Sequence, residues 1–186
     1  MPGRKIHDPA PETARFDRMS ALFRPARRAA GLAALVAALF VSSVAACRFR
    51  PGREPFEARV VGVADGDTIT VLHRGAQVRV RLSGIDCPER GQPFSARAKQ
   101  FTSEMVFGKT VTVRPFGTDR YRRAVADVVL PDGRVLNREL VAAGLAWHYT
   151  RYSKDEVLAR LEKEARGSRL GLWSEERVVA PWDFRR

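Results

Sequence analysis

"EARVVGVADGDTITVLHRGAQVRVRLSGIDCPE", Glu57 to Glu89, decides how the rest of the chain is read. Two turn signals, Asp65-Gly66-Asp67 and Arg74-Gly75-Ala76-Gln77, cut it into three short runs rich in Val, Ile and Thr. Such runs between turns are predicted as strands. In the third run Val78, Val80 and Leu82 alternate with Arg79 and Arg81, the period of two that marks a half-buried strand. The aliphatic side chains belong to the core, so Arg81 points to the other face.

Outward from this stretch the pattern changes. Phe94, Ala98, Phe101 and Met105 fall at helical spacing, with Gly108 as a stop. "KTVTVRP" (109–115) and "AVADVVL" (124–130) read as two further strands, followed by a "PDG" turn. Asn137 is predicted to cap a helix in "RELVAAG" (138–144). Ser153 and Glu156 have capping-box spacing before a helix that carries Val157, Leu158, Leu161 and Ala165 on one side and ends near Gly167. Three strands, a helix, two strands and two helices predict an α+β fold: a five-stranded OB-type β-barrel with about three packed helices. The strand order does not follow from this pattern. The domain is expected over residues 57–176, with 177–186 as a C-terminal tail and 47–56, rich in Pro and Gly, as a linker.

The 186 residues carry 33 Lys and Arg against 21 Asp and Glu, a net +12. Residues 1–56 hold ten basic and four acidic residues, and 57–186 hold 23 and 17, so each part contributes +6. Half of the surplus thus lies outside the domain. The remainder suits a polyanionic partner and equally suits a solvated surface. In the N-terminal part, Ala29 to Ala46 is uncharged and follows Arg24, Arg27 and Arg28, the layout of a signal peptide or anchor. The run barely reaches the roughly 17–25 residues that span a bilayer. "VAAC", Val44 to Cys47, resembles a bacterial lipobox, which implies a lipid-anchored envelope protein; the same residues fit ordinary cleavage and secretion, or an uncleaved membrane anchor. Residues 1–18 are polar and fit a signal peptide poorly, and Met19 is a more natural start.

Cys87 is the one cysteine of the domain, so no disulfide framework is expected, and His7, His73 and His148 lack the spacing of a zinc site. Acids cluster beside arginines at both loops, "DGD" and "DCPE". Asp-Gly and Pro also make turns with no further purpose. The other reading is chemical. A hard dication held by two carboxylates and by carbonyl or water oxygens neutralises the charge that a phosphodiester gains in its transition state. A neighbouring Glu can deprotonate an attacking water, and guanidiniums offer paired donors to phosphate oxygens.

Order and combination separate these readings. "DGDT" between strands, then "RLSGIDCPE", a helix, "TDRYRRAVADV", "NRELVAAGLAW" and "GLW" resemble the staphylococcal-nuclease-like, or thermonuclease, family from about Val60 to Trp173. The resemblance implies an OB-fold endonuclease that hydrolyses DNA or RNA phosphodiesters with Ca²⁺. Carried over by motif, Asp67 and Asp86 ligate the metal through carboxylates and Cys87 through its backbone carbonyl, with an inert thiol. Glu89 matches the general base, and Arg81 and Arg123 match the phosphate-binding arginines. Arg120 joins the substrate-binding set, with Tyr121 and Tyr152 as rings on which bases stack. Arg122 stands where the family commonly has Gly, and the segment between Glu89 and the first helix is shorter than in the type member. Trp147 and Trp173 are expected in the core, and His148 in a structural role. A non-catalytic OB-fold module that binds nucleic acid or protein is the main alternative, but such modules lose the Asp, Glu and Arg positions kept here. An envelope scaffold would rest on the N-terminal segment alone.

Overall fold

The structure, a computed structural model, describes residues 52–185. The expectations for residues 1–18, the Ala29–Ala46 run, Cys47 and the first half of the linker lie outside the described residues. Among the described residues no helix is long and apolar enough to cross a membrane.

Five strands close into the barrel: β1 (Phe56–Val63), β2 (Thr68–His73), β3 (Ala76–Leu82), β5 (Thr110–Thr118) and β6 (Ala124–Val129), in the order β1-β2-β3-β6-β5. The first three form an antiparallel meander, and β3 then pairs in parallel with β6. A short β4 (Ile85–Asp86) pairs with β7 (Trp147–His148) outside the barrel. Inward-facing Val60, Ile69, Val71, Val80, Leu82, Val111, Val113 and Val128 are fully buried. Each such side chain contributes roughly 1.5–3 kcal/mol on burial. Pro115 sits at a bulge of β5, where a missing ladder donor is tolerated.

Helix α1 (Ser95–Val106) buries Ala98, Thr102 and Val106, while the expected Phe101 and Met105 pack half-buried beside them. α2 (Leu136–Ala142) and α3 (Glu156–Gly167) follow. The two cap assignments change. Val135 occupies the N-cap of α2, and Asn137 is instead buried within the first turn. Its side-chain oxygen accepts from Val128 N–H at 3.2 Å, and its amide donates to Ser83 O at 2.9 Å. Asp155, not Ser153, caps α3 by accepting from Val157 N–H at 2.7 Å, and Ser153 Oγ supports it by accepting from Asp155 N–H at 3.2 Å.

The C-terminal residues read as a tail carry a fourth helix, α4 (Pro181–Phe184), after a 3₁₀ turn at Gly171–Ser174. Four residues are too few for a periodic signal. Pro at the first helical position is the only local cue. Ala180 is buried in a second apolar cluster with Trp147, Ala165, Leu172 and Trp173, and Trp182 packs against it.

Candidate active site

Register across three strands builds the floor of the site. Thr68 of β2 pairs with Arg81 of β3, and Arg81 pairs with Val125 of β6. This row lies on the face opposite the buried Val80 and Leu82, so Arg81 leaves the core as its alternation requires. Asp67 immediately precedes β2, Asp86 ends β4, and Arg123 immediately precedes β6. One open cavity of about 650 Å³ gathers Asp65, Asp67, Arg81, Asp86, Glu89, Asp119, Arg120, Tyr121, Arg123, Tyr149, Tyr152 and Arg185 along its walls.

The Asp65-Gly66-Asp67 turn is clamped from below. Thr102 of α1 donates its hydroxyl to Gly66 O at 2.6 Å. A methyl group on Gly66 would stand 2.8 Å from Cys87 Sγ and 2.9 Å from Ala98 Cβ, so only glycine lets the turn sit this close to the helix. The Cys87 thiol is therefore packing material. Burial, and then the neighbouring Asp67 charge, push its pKa well above the ordinary thiol value. Through its backbone, by contrast, Cys87 takes part in the site, its N–H donating to Asp67 Oδ2 at 2.7 Å.

Arg81 ties the two buried aspartates together. Its Nη1 lies 3.0 Å from Asp67 Oδ2, and its Nη2 donates to Asp86 Oδ1 at 2.7 Å. Burial opposes its charge, but Asp67 and Asp86 outweigh that and hold the guanidinium pKa above its usual value. Burial pushes the Asp67 carboxyl up to about 7 despite Arg81. Arg81 thus offsets the burial of Asp67 only in part, and a second positive charge beside it would favour the ionised form further. Among the described residues no three His, Cys, Asp or Glu side chains converge tightly enough to cage a metal ion by themselves. A cation here would rest on Asp67 and Asp86, with carbonyl and water oxygens completing its shell. All these donors are oxygens, which fits a hard dication.

On the far wall, Asp119 organises the loop before β6. Its Oδ1 accepts from the N–H groups of Tyr121 and Arg123, both at 2.9 Å, and its Oδ2 accepts from Arg123 Nε at 2.7 Å. Arg123 Nη1 reaches Thr68 Oγ1 at 3.4 Å, which aims the guanidinium across the floor. Arg122 has φ of 63°, so it holds the left-handed conformation that Gly takes freely, and the loop keeps its shape at a cost of roughly 1–2 kcal/mol. Tyr121 lies open at the rim under two cations, Arg120 at 4.8 Å and Arg123 at 5.4 Å from the ring centre. Tyr152 is also open and meets Tyr149 edge-on.

Of the residues predicted from sequence, Asp67, Arg81, Asp86, Glu89, Arg120, Tyr121, Arg123 and Tyr152 line this one cavity. Cys87 stands behind it. Trp147 and Trp173 are buried in the second cluster, and His148 is buried between β4 and α3, where its backbone N–H donates to Glu162 Oε1 at 3.1 Å. Sequence reasoning missed Asp65, Asp119, Tyr149, Arg185 and Gln92. Asp65 and Asp119 sit inside motifs already quoted, and Gln92 follows "DCPER". Its Oε1 accepts from Glu89 N–H at 2.7 Å and so positions the Glu89 loop. Nothing local marks Arg185.

The comparisons with known proteins bear on the same residues. Residues 79–175 match the family model described as Staphylococcal nuclease homologue. The chain belongs to the staphylococcal nuclease family. It is similar to an uncharacterized endonuclease of Escherichia coli O157:H7, 46% identical over 127 residues that cover 68% of this chain and 83% of that one. The micrococcal nuclease of Shigella flexneri is 40% identical over 146 residues, 73% of this chain and 84% of its own. Protein ParB of Escherichia coli is 41% identical over 170 residues, 86% and 94% of the two chains. The staphylococcal nuclease match runs from within β3 through the 3₁₀ turn and so includes Arg81, Asp86, Glu89 and Arg123.

Proposed function

We propose that the chain is a Ca²⁺-dependent nuclease that hydrolyses phosphodiester bonds in DNA, RNA or both. One observation carries this reading: two buried aspartates, an accessible glutamate and two arginines share the wall of a single open cavity. Asp67 and Asp86, with the Cys87 carbonyl, would hold the cation, which when bound supplies positive charge to the scissile phosphate. Glu89, held at its backbone by Gln92, takes the proton of the attacking water. Arg81 and Arg123 donate N–H groups to the phosphate oxygens as their charge grows, and each is pre-aimed by carboxylates, Arg81 by Asp67 and Asp86 and Arg123 by Asp119. Arg120, Tyr121 and Tyr152 at the rim receive the flanking nucleotides, the rings stacking on bases with little sequence preference.

The test is cleavage of single- and double-stranded DNA and RNA by the purified full-length chain, in Ca²⁺ or in a Ca²⁺-selective chelator. Activity is expected only with Ca²⁺. Glu89→Gln, Arg81→Lys and Arg123→Lys should each lower kcat by roughly 10²–10³, with much smaller changes in substrate binding. Full activity in chelator would overturn the metal assignment, and rescue by zinc alone would point to Cys87. Export belongs to the same proposal and rests on the Ala29–Ala46 run and Cys47. A Cys47→Ala variant that partitions with membranes as the wild type does, with no acyl mass on the wild-type peptide, would remove the lipid anchor.

A further inference from the structure

Arg185 is the outlier of the site. It lies 96 and 99 residues along the chain from its two acidic partners. Its Nη2 donates to Asp86 Oδ2 at 2.6 Å, and its Nη1 donates to Glu89 Oε1. Asp86 Oδ1 is already taken by Arg81 at 2.7 Å, so both oxygens of this buried carboxylate face guanidiniums. The proposed general base is ion-paired by the same side chain. A cation at Asp86 Oδ2 and the Arg185 guanidinium compete for that oxygen, because two positive charges brought this close repel each other.

The segment that carries Arg185 is fastened at two places. Gln92, which accepts from Glu89 N–H, donates its amide to Val179 O at 3.0 Å. Trp182 stacks on Tyr149, with ring centres 5.0 Å apart and planes 5° from parallel, and meets Trp147 edge-on at 5.7 Å. Ala180 and Pro181, between these fastenings, are buried, but the packing under the segment is incomplete. A cavity of about 160 Å³ lies under the segment, against Pro88, Phe94, Trp147, Val179 and Phe184. Val179 and Phe184 are themselves about half exposed. Residues 177–185 thus form a strap held by a few contacts, with a cationic tip on the two carboxylates that the chemistry needs.

We propose that Arg185 is a built-in competitor of the divalent cation: the strap keeps Asp86 and Glu89 paired until a cation displaces its guanidinium. The inference rests on the metal-dependent reading above. It makes cation binding and release of the general base one event, since the side chain that leaves Asp86 also leaves Glu89. Without a cation the two carboxylates stay neutralised.

Calorimetric titration of the full-length protein with Ca²⁺, without nucleic acid, tests this directly. Arg185→Gln should bind Ca²⁺ at least tenfold more tightly than wild type. Trp182→Ala, which keeps Arg185 but removes the stacking, should shift affinity in the same direction by a smaller factor, and it covers the case of a misfolded Arg185→Gln. Ca²⁺ should also change the tryptophan fluorescence of the wild type, and Trp182→Phe should remove most of that change. Equal affinities in wild type and both variants would overturn the competitor and leave the nuclease reading standing. Tighter binding by the wild type would overturn it too, making Arg185 a support of the site. No binding heat in any of the proteins would remove the metal site and the competitor together.

Discussion

Asp119 shows how one carboxylate can hold a loop that its neighbours strain. Arg122 takes a left-handed conformation without being glycine, and the bonds that keep it there converge on Asp119. Burial alone would raise the Asp119 pKa, but the hydrogen bonds from Arg123, backbone and side chain, outweigh it and hold the carboxyl below its ordinary value of 3.8. A group whose folded pKa is depressed adds stability above its unfolded pKa and loses it as pH falls through the folded one. Asp119→Asn should therefore cost on the order of 1 kcal/mol at pH 7 by urea denaturation, with the gap to wild type narrowing as pH falls below 3.8. A gap that persisted in acid would assign the effect to shape rather than charge. The sequence motif showed that this loop carries Arg123. It did not show that Asp119 aims it, because an Asp at the start of a turn is equally expected as a turn former.

Elements that announce themselves by periodicity were legible, and those fixed by distant partners were not. The alternation of Val78, Val80 and Leu82 gives β3, and it places Arg81 on the cavity side. The same pattern holds no information on which strand lies beside β3, and its parallel partner β6 starts more than forty residues later. That pairing brings Val125 and Arg123 to the floor next to Arg81. Asn137 illustrates a different limit. Asn before a helical run is a sound cap by local chemistry, yet here its amide donates to Ser83 and Asp127 at the edge of β3 and β6, contacts known only once the barrel closes. Helix α4 is hidden for a third reason. Its four residues have almost no propensity signal, and its place is set by Trp182 meeting Tyr149 and Trp147.

Charge at the scale of the molecule does not follow the charge of the site. The domain from residue 57 onward carries +6, yet five carboxylates and four arginines line the large cavity, Asp65, Asp67, Asp86, Glu89 and Asp119 against Arg81, Arg120, Arg123 and Arg185. The cavity is formally one charge negative while the surrounding surface is positive. A polyanion is thus drawn by the outer field and meets, at the floor, a place that needs a cation before it accepts a phosphate. Two measurable consequences separate these roles. Glu89→Gln, in which cleavage is expected to be very slow, should bind single-stranded DNA at least tenfold more tightly with Ca²⁺ than with chelator, by fluorescence anisotropy. Adding Arg120→Ala removes an exposed rim charge that makes no contact with Asp86 among the described ion pairs, so the slope of log K against log salt should fall by about 0.7, the share of one phosphate contact on a single strand. The Ca²⁺ concentration at half effect should not move. If Arg120→Ala instead shifted the Ca²⁺ midpoint and left the salt slope intact, Arg120 would act on the carboxylate floor, and the division between an attracting rim and a cation-requiring floor would be wrong.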